Sequence, residues 1–312
     1  MIDLGKFYGG LFVVVACVLL GFFLGRKRVI DSTTNKALTT ILLNIGLPIA
    51  FMRAFPTEFD AEYFGLFLWG LGSGFLILTI QILISQVIFA RKFTGKDSFE
   101  YKFAFVFNNT AFIGYPLVST AFGLDGLTAY AGFMMPFVLL QFTYGVWLFK
   151  KDYHFKDFLK SFLNPNIIGI ALGAVMFIFS IQMPEFLDRG FETVAGMTTP
   201  LSLICVGYML NRARLKTLFK RWGVIFVCVA QLVIPCTMTF FITKWLGAGA
   251  VVISVLTLMQ ALPTATSLAL FVEKYRGGAA ADSEAGEIVA LSTILSAVTV
   301  PIVVTVLLGG LV

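Results

Sequence analysis

Apolar residues run along this chain in long blocks, each closed by a short charged or Gly/Pro-rich break. The blocks fall at residues 7–25, 34–54, 63–90, 102–124 and 127–149, and then at 166–183, 191–211, 222–245, 250–272 and 287–310. Most are close to the ~20 apolar residues a helix needs to cross a bilayer. The third is the longest and is expected to tilt. Strands of a membrane barrel would show shorter runs with strict alternation, and lipid tolerates only helices or closed barrels. The pattern therefore predicts an all-α membrane protein of about ten transmembrane helices. Ten spans divide into two five-helix halves, 1–157 and 158–312. An odd number per half gives the halves opposite orientation, the inverted repeat common among secondary transporters.

Composition removes the soluble alternative. The chain is 58% hydrophobic and only 13% charged, too few polar side chains to cover a water-facing surface. The opening stretch from Met1 to Lys6 is not strongly basic, and no small-residue cleavage site follows the first block, so that block is expected to stay as a span rather than be removed as a leader. The net charge of +6 raises the question of nucleic acid, and the distribution of the charge answers it. Of the 23 basic residues, 19 lie in alternate loops, around 26–36, 91–102, 150–160, 212–221 and 274–276. Lys6, Arg53, Arg189 and Lys244 are left for the other side. By the positive-inside rule the basic loops are cytoplasmic, which predicts a multi-pass protein of a bacterial inner membrane with both termini periplasmic, and no nucleic-acid partner. The loops are short, so function is expected inside the helix bundle.

Two spans carry unusual polar interruptions. The fourth reads Phe107-Asn-Asn-Thr-Ala-Phe-Ile-Gly-Tyr-Pro116, and the ninth Met259-Gln-Ala-Leu-Pro-Thr-Ala-Thr-Ser267. Pro116 and Pro263 each remove a helix hydrogen bond and crowd the preceding turn. In a membrane the freed backbone groups need protein or a water-filled cavity beside them. Interrupted helices at matching places in opposed halves mark a binding site. The half-helix beyond each break offers free N–H groups and partial positive charge, so the expected substrate is a small organic anion. Asn108, Asn109, Thr110, Gln260 and Thr264 are the side chains placed to orient it. The second and seventh spans also carry a proline beside polar residues, with Asn44 before Pro48 and Ser202 after Pro200.

The Asn108 to Pro116 run, Pro48, and the ninth-span Leu-Pro-Thr-Ala continuing to Phe-Val-Glu-Lys-Tyr275 resemble the auxin efflux carrier family, which includes bacterial members labelled malate or malonate permeases. The resemblance covers the chain in length, span count and motif order. It implies a fold like that of the bile acid sodium symporters, with the fourth and ninth helices broken and crossing at their prolines. Spans one, two, six and seven would form a scaffold, and the rest a transport domain that moves in an elevator-like step. Asn109 and Pro116 would lie on one side of the crossover and Pro263 on the other, with Asn108 and Gln260 beside them. Asn44 and Ser202 would face the substrate from the scaffold. Homodimers occur in that family.

Coupling stays open on the residues alone. No carboxylate lies in the middle of a span, where proton coupling usually needs one. Arg53, at the end of the second span, with Glu58, Asp60 and Glu62 just outside it, forms the nearest charged group, which reads either as an ordinary solvated loop with an interfacial arginine or as a vestibule that draws an anion inward. Sodium would need several oxygens, which Asn108, Thr110, Gln260 and backbone carbonyls could supply without a carboxylate; the resemblance implies an acid in the ninth helix of sodium-coupled relatives, and Gln260 stands in that region here. No cofactor or metal is expected: His154 is the only histidine and sits among lysines, and the four cysteines lie in apolar blocks without CxxC spacing. Rival readings are a membrane sensor without transport, a sodium-coupled symporter, a channel, and an intramembrane enzyme, the last lacking any catalytic cluster.

Overall fold

The structure, a computed structural model, describes residues 4–90, 97–150, 152–212, 221–276 and 284–309. Among these the secondary structure is helical apart from one isolated bridge between Asn108 and Thr264. The helices are α1 (Leu4–Arg26), α2 (Ser32–Met52), α3 (Ala61–Ala90), α4 (Asp97–Val106), α5 (Thr110–Phe149), α6 (Phe155–Ser161), α7 (Pro165–Ile178), α8 (Glu185–Arg212), α9 (Trp222–Trp245), α10 (Ala250–Ala261), α11 (Ser267–Arg276) and α12 (Ala285–Leu308). Seven of them, α1, α2, α3, α5, α8, α9 and α12, are long and apolar enough to cross a membrane, and α6 with α7 forms a pair bent by 50°. Side chains such as Phe12, Val87, Phe241 and Val306 point outward and exposed, as lipid rather than water requires.

The 40-residue α5 is two limbs. Gly123 has φ 58° and ψ −142°, a conformation outside the helix and open to glycine. Residues 110 and 130 would lie about 30 Å apart in a straight helix, yet the Tyr130 hydroxyl donates to the Thr110 carbonyl at 2.8 Å. The chain folds back at Gly123, so the second limb returns beside the first. This separates the stretches expected as fourth and fifth spans.

Glycines set how closely the helices approach, as small residues do in membranes. A Cβ on Gly21 of α1 would lie 2.1 Å from the Ile204 carbonyl oxygen of α8, and one on Gly207 of α8 2.0 Å from that of Val18. The same relation joins α7 to α2: Gly169 meets the Pro48 carbonyl and Gly173 that of Met52. Gly70 of α3 meets the Ala129 carbonyl of the second limb of α5, and Gly132 meets that of Phe67. On α3 a Cβ on Gly74 would lie 2.9 Å from Pro136 Cγ, whereas Gly72 faces open space. An aromatic core of Phe103, Phe107, Phe137, Phe149 and Phe271 locks α4, α5 and α11 together.

Some ends differ from the expected blocks. The sixth block was expected to run to residue 183, but α7 stops at Ile178 because Ser180 takes a positive φ of 50° and Pro184 follows. The seventh was expected from 191, but α8 starts at Glu185, with Glu185 and Asp188 in its first turn, where acids favour a helix N-terminus. The ninth block is two helices, α10 and α11, separated by 262–266.

Candidate functional site

The two breaks satisfy one another. α4 ends at Val106 and α10 at Ala261, and each chain runs on irregularly before the next helix begins. Asn108 and Thr264 pair as an antiparallel bridge. The Asn109 amide donates to the Pro263 carbonyl at 2.7 Å, and the Ala265 amide to the Phe107 carbonyl at 2.9 Å. Backbone groups that lipid could not serve are thus paired between the two broken helices.

Side chains complete the exchange. Pro263 has no N–H, so the Met259 carbonyl four residues earlier lacks its helical donor. Asn108 Nδ2 supplies one at 3.1 Å and also donates to Gln260 Oε1 at 2.9 Å. In return the Thr264 hydroxyl reaches the Ala104 carbonyl near the end of α4 at 3.4 Å. Gln231, in the middle of α9, donates through Nε2 to Asn108 Oδ1 at 2.8 Å and to the Leu262 carbonyl at 2.6 Å. The Thr264 amide donates to Ser292 Oγ of α12 at 3.2 Å. Asn108, Gln231, Gln260 and Thr264 are all buried.

Beyond the breaks the new helices point at a cavity of about 220 Å³. Asn109 Oδ1 accepts from the Phe112 amide at 3.3 Å and caps α5, as asparagine does at helix starts. Thr110, Ala111 and Phe112 of α5 and Thr266 and Ser267 at the start of α11 line the cavity. First-turn amides have no carbonyl within their own helix, and each N-terminus carries about half a positive charge. The opposite wall is Asn164, Pro165 and Asn166 at the start of α7, with Asn44 of α2 and Met134 and Gln141 of α5. Among the described residues no Asp, Glu, Lys, Arg or His lines the cavity. Three buried polar atoms at this lining have no protein partner: Asn109 Nδ2, Thr110 Oγ1 and Asn166 Oδ1. An unpartnered buried polar group is destabilising, and here all three belong to one cavity.

The expected site residues fall into three groups. Asn44, Asn108, Asn109 and Thr110 line the cavity. Gln260, Pro263 and Thr264 stand behind it, holding the breaks in register. Pro116 lies further along α5, and Ser202 meets the back of that helix, its hydroxyl donating to the Phe112 carbonyl at 2.9 Å; neither reaches the cavity lining. Arg53 is elsewhere, on a separate cavity of about 390 Å³ with Met52, Thr57, Met176, Met183 and Glu185. Its guanidinium pairs with Asp188 of α8 rather than with Glu58, Asp60 or Glu62, which are exposed. Asp60 instead accepts from the Glu62 amide at 2.7 Å at the start of α3. Gln231, Gln141, Asn164, Asn166 and Ser292 were not singled out in the sequence. Gln231 is the most telling of them, a lone amide inside an apolar block. Among the described residues no three His, Cys, Asp or Glu side chains gather as metal ligands.

Fold and site together define a multi-pass helical membrane protein whose polar groups converge on a cavity at two broken helices. Residues 151–304 match a family described as membrane transport protein, which bears out the resemblance to the auxin efflux carrier family; the matched stretch holds the ninth-span motif and not the fourth-span one. The chain is also 24% identical over 270 residues, 81% of its length and 84% of the relative's, to a protein of Methanocaldococcus jannaschii named as an uncharacterized transporter. The chain is thus similar to a membrane transport family and to a protein named as a transporter.

Proposed function

We propose that this protein is a secondary transporter that carries a small organic anion, a dicarboxylate or an auxin-like acid, by an elevator-type alternating-access step. The observation that carries the reading is the cavity at the paired breaks. Two helix N-termini bring about one positive charge between them, enough to balance a carboxylate without a cation. Asn109 Nδ2 and Thr110 Oγ1 stand unpartnered beside them, ready to donate to the same carboxylate.

The architecture in this reading has ten crossings. α4 with the first limb of α5 makes one broken crossing, the second limb makes the next, and α10 with α11 makes the other broken one. The packing supports an inverted repeat of 1–157 and 158–312. Exchanging spans one with six and two with seven turns the α1–α8 contact into the α7–α2 contact, and both rest on paired glycines. These four helices are the scaffold, and α3, α4, α5 and α9 to α12 the transport domain. Among the described residues the Ser202 hydroxyl ties α8 to α5 at the Phe112 carbonyl, a single bond that a sliding step would have to break. In this reading the positive-inside rule puts the cavity wall at Asn164 on the cytoplasmic side of a bacterial inner membrane and both termini, outside the described residues, on the periplasmic side. Protons, sodium and the membrane potential are the candidate driving forces, and a homodimer the candidate assembly.

The test is uptake of radiolabelled malate and malonate into proteoliposomes. Saturable uptake that fails in Asn109→Ala, with the variant folded and inserted, is the expected result. Uptake that does not saturate, or that Asn109→Ala leaves intact, would overturn the reading.

A further inference from the structure

Between the second limb of α5 and α7 lies the short helix α6, which has three distinct sides. One side is apolar and uncovered: Phe155 is 70% exposed and Leu159 51%, and Phe162 just beyond the helix is 44%. Phe158 joins them, stacked on Phe155 at 5.8 Å and edge-on to Phe162 at 5.3 Å. Beside this stripe, one turn apart, stand Lys156 and Lys160, both exposed. The third side faces the protein. Asp157 pairs with Lys150 at 2.6 Å and accepts from the His154 amide at 3.0 Å. These contacts, the Lys150 bond first, hold its carboxyl below the usual range. The Ser161 hydroxyl donates to the Phe142 carbonyl at 3.1 Å. Phe142 lines the anion cavity, and Asn164, three residues past Ser161, lines its other wall.

An apolar stripe flanked by lysines is the pattern of a helix lying in a membrane interface, and lysines reach from such a stripe to lipid phosphates. Trp147, 53% exposed at the end of α5, fits a headgroup level immediately before this helix, where tryptophans gather. We propose that α6 lies in the headgroup layer of the cytoplasmic leaflet, that Lys156 and Lys160 hold the phosphate of an anionic phospholipid, and that this lipid steadies the cytoplasmic wall of the anion cavity. The leaflet and the link to transport rest on the function proposed above; the lipid contact itself does not.

Two lysines near an anionic surface each favour binding by about fivefold, so the pair selects anionic over zwitterionic lipid by roughly thirtyfold. The experiment introduces tryptophan by Phe155→Trp and reconstitutes the full chain in phosphatidylcholine vesicles. Brominated phosphatidylglycerol or brominated phosphatidylcholine is added at equal mole fraction, and quenching beyond that of the parent protein is read. The expected result is stronger quenching by the brominated phosphatidylglycerol, abolished by Lys156→Gln with Lys160→Gln and not displaced by millimolar inorganic phosphate. Equal quenching by the two lipids would overturn the headgroup site, and no quenching above the parent would overturn the interfacial placement. Displacement by phosphate would reassign the lysines to a free anion. In the same vesicles anion uptake rises with phosphatidylglycerol in the parent and loses that dependence in the double variant. Lipid selection without any anion uptake would sink the transport reading and leave the lipid contact standing; uptake that ignores phosphatidylglycerol in the parent would remove the link to the cavity.

Discussion

Asn108→Ala is the perturbation whose consequence the structure fixes most fully. It deletes the donor to the Met259 carbonyl and to Gln260 Oε1, and the acceptor for Gln231 Nε2. Gln231 Nε2 keeps the Leu262 carbonyl. The Met259 carbonyl has no helical substitute because Pro263 stands four residues on. Two buried acceptors are therefore orphaned. At about 1–3 kcal/mol for each unsatisfied group the loss is about 2–6 kcal/mol. On the membrane scale, where hydrogen bonds average ~0.6 and reach about 1.7 kcal/mol, it is about 1–3 kcal/mol. The two ranges overlap at about 2–3 kcal/mol, which is the expected destabilisation in an SDS-titrated unfolding assay. Gln231→Leu shares one bond with Asn108, so a double-mutant cycle should return a coupling of about 0.5–1.5 kcal/mol. An Asn108→Ala protein as stable as the parent, or additive effects in the cycle, would refute the account of how the two breaks hold together.

Three other outcomes follow from the same geometry. Pro263→Ala restores an amide to the Met259 carbonyl and lets α10 continue, and with Asn109→Ala it should lower uptake at least tenfold while the protein stays folded in the membrane; near-parental flux in both would remove the paired breaks as the site. Gly207→Leu drives a side chain into the Val18 carbonyl, 2.0 Å from its Cβ, and overpacking of this kind costs about 1–3 kcal/mol or more; a yield of folded protein equal to the parent's would contradict the close approach of α1 and α8. A membrane-impermeant maleimide added outside cells should label Glu58→Cys and cysteines placed at either terminus but not Lys156→Cys, and the reverse pattern would overturn the orientation.

The local parts of this account are legible in the sequence because they are local. Trp222–Trp245 coincides with its apolar block, since Arg221 bounds it on one side and Gly247, at φ 77°, on the other. Asn108, Asn109, Thr110, Pro263 and Thr264 stand out because amides, hydroxyls and prolines interrupt apolar runs. What escapes is pairing across the chain. Nothing near Gln231 marks it as the partner of Asn108, 123 residues away, and nothing near Arg53 names Asp188, 135 residues away. Asn164 and Asn166 flank a proline at a helix start and read as an ordinary cap; Asn164 does cap, accepting from the Asn166 amide at 2.9 Å. Only the fold brings them opposite Asn109. The early end of α7 was hidden because Phe179 and Ile181 are as apolar as the helix before them, and the chain turns there on backbone conformation rather than polarity.

The central claim is that the paired breaks bind and move a small organic anion. The measurement that tests it most directly is uptake of labelled malate and malonate into tight proteoliposomes, with proton, sodium and voltage gradients imposed one at a time. The account predicts saturable uptake driven by one of these gradients and lost in Asn109→Ala. Vesicles that are tight and loaded with folded protein, yet show no saturable anion flux under any gradient, would contradict it.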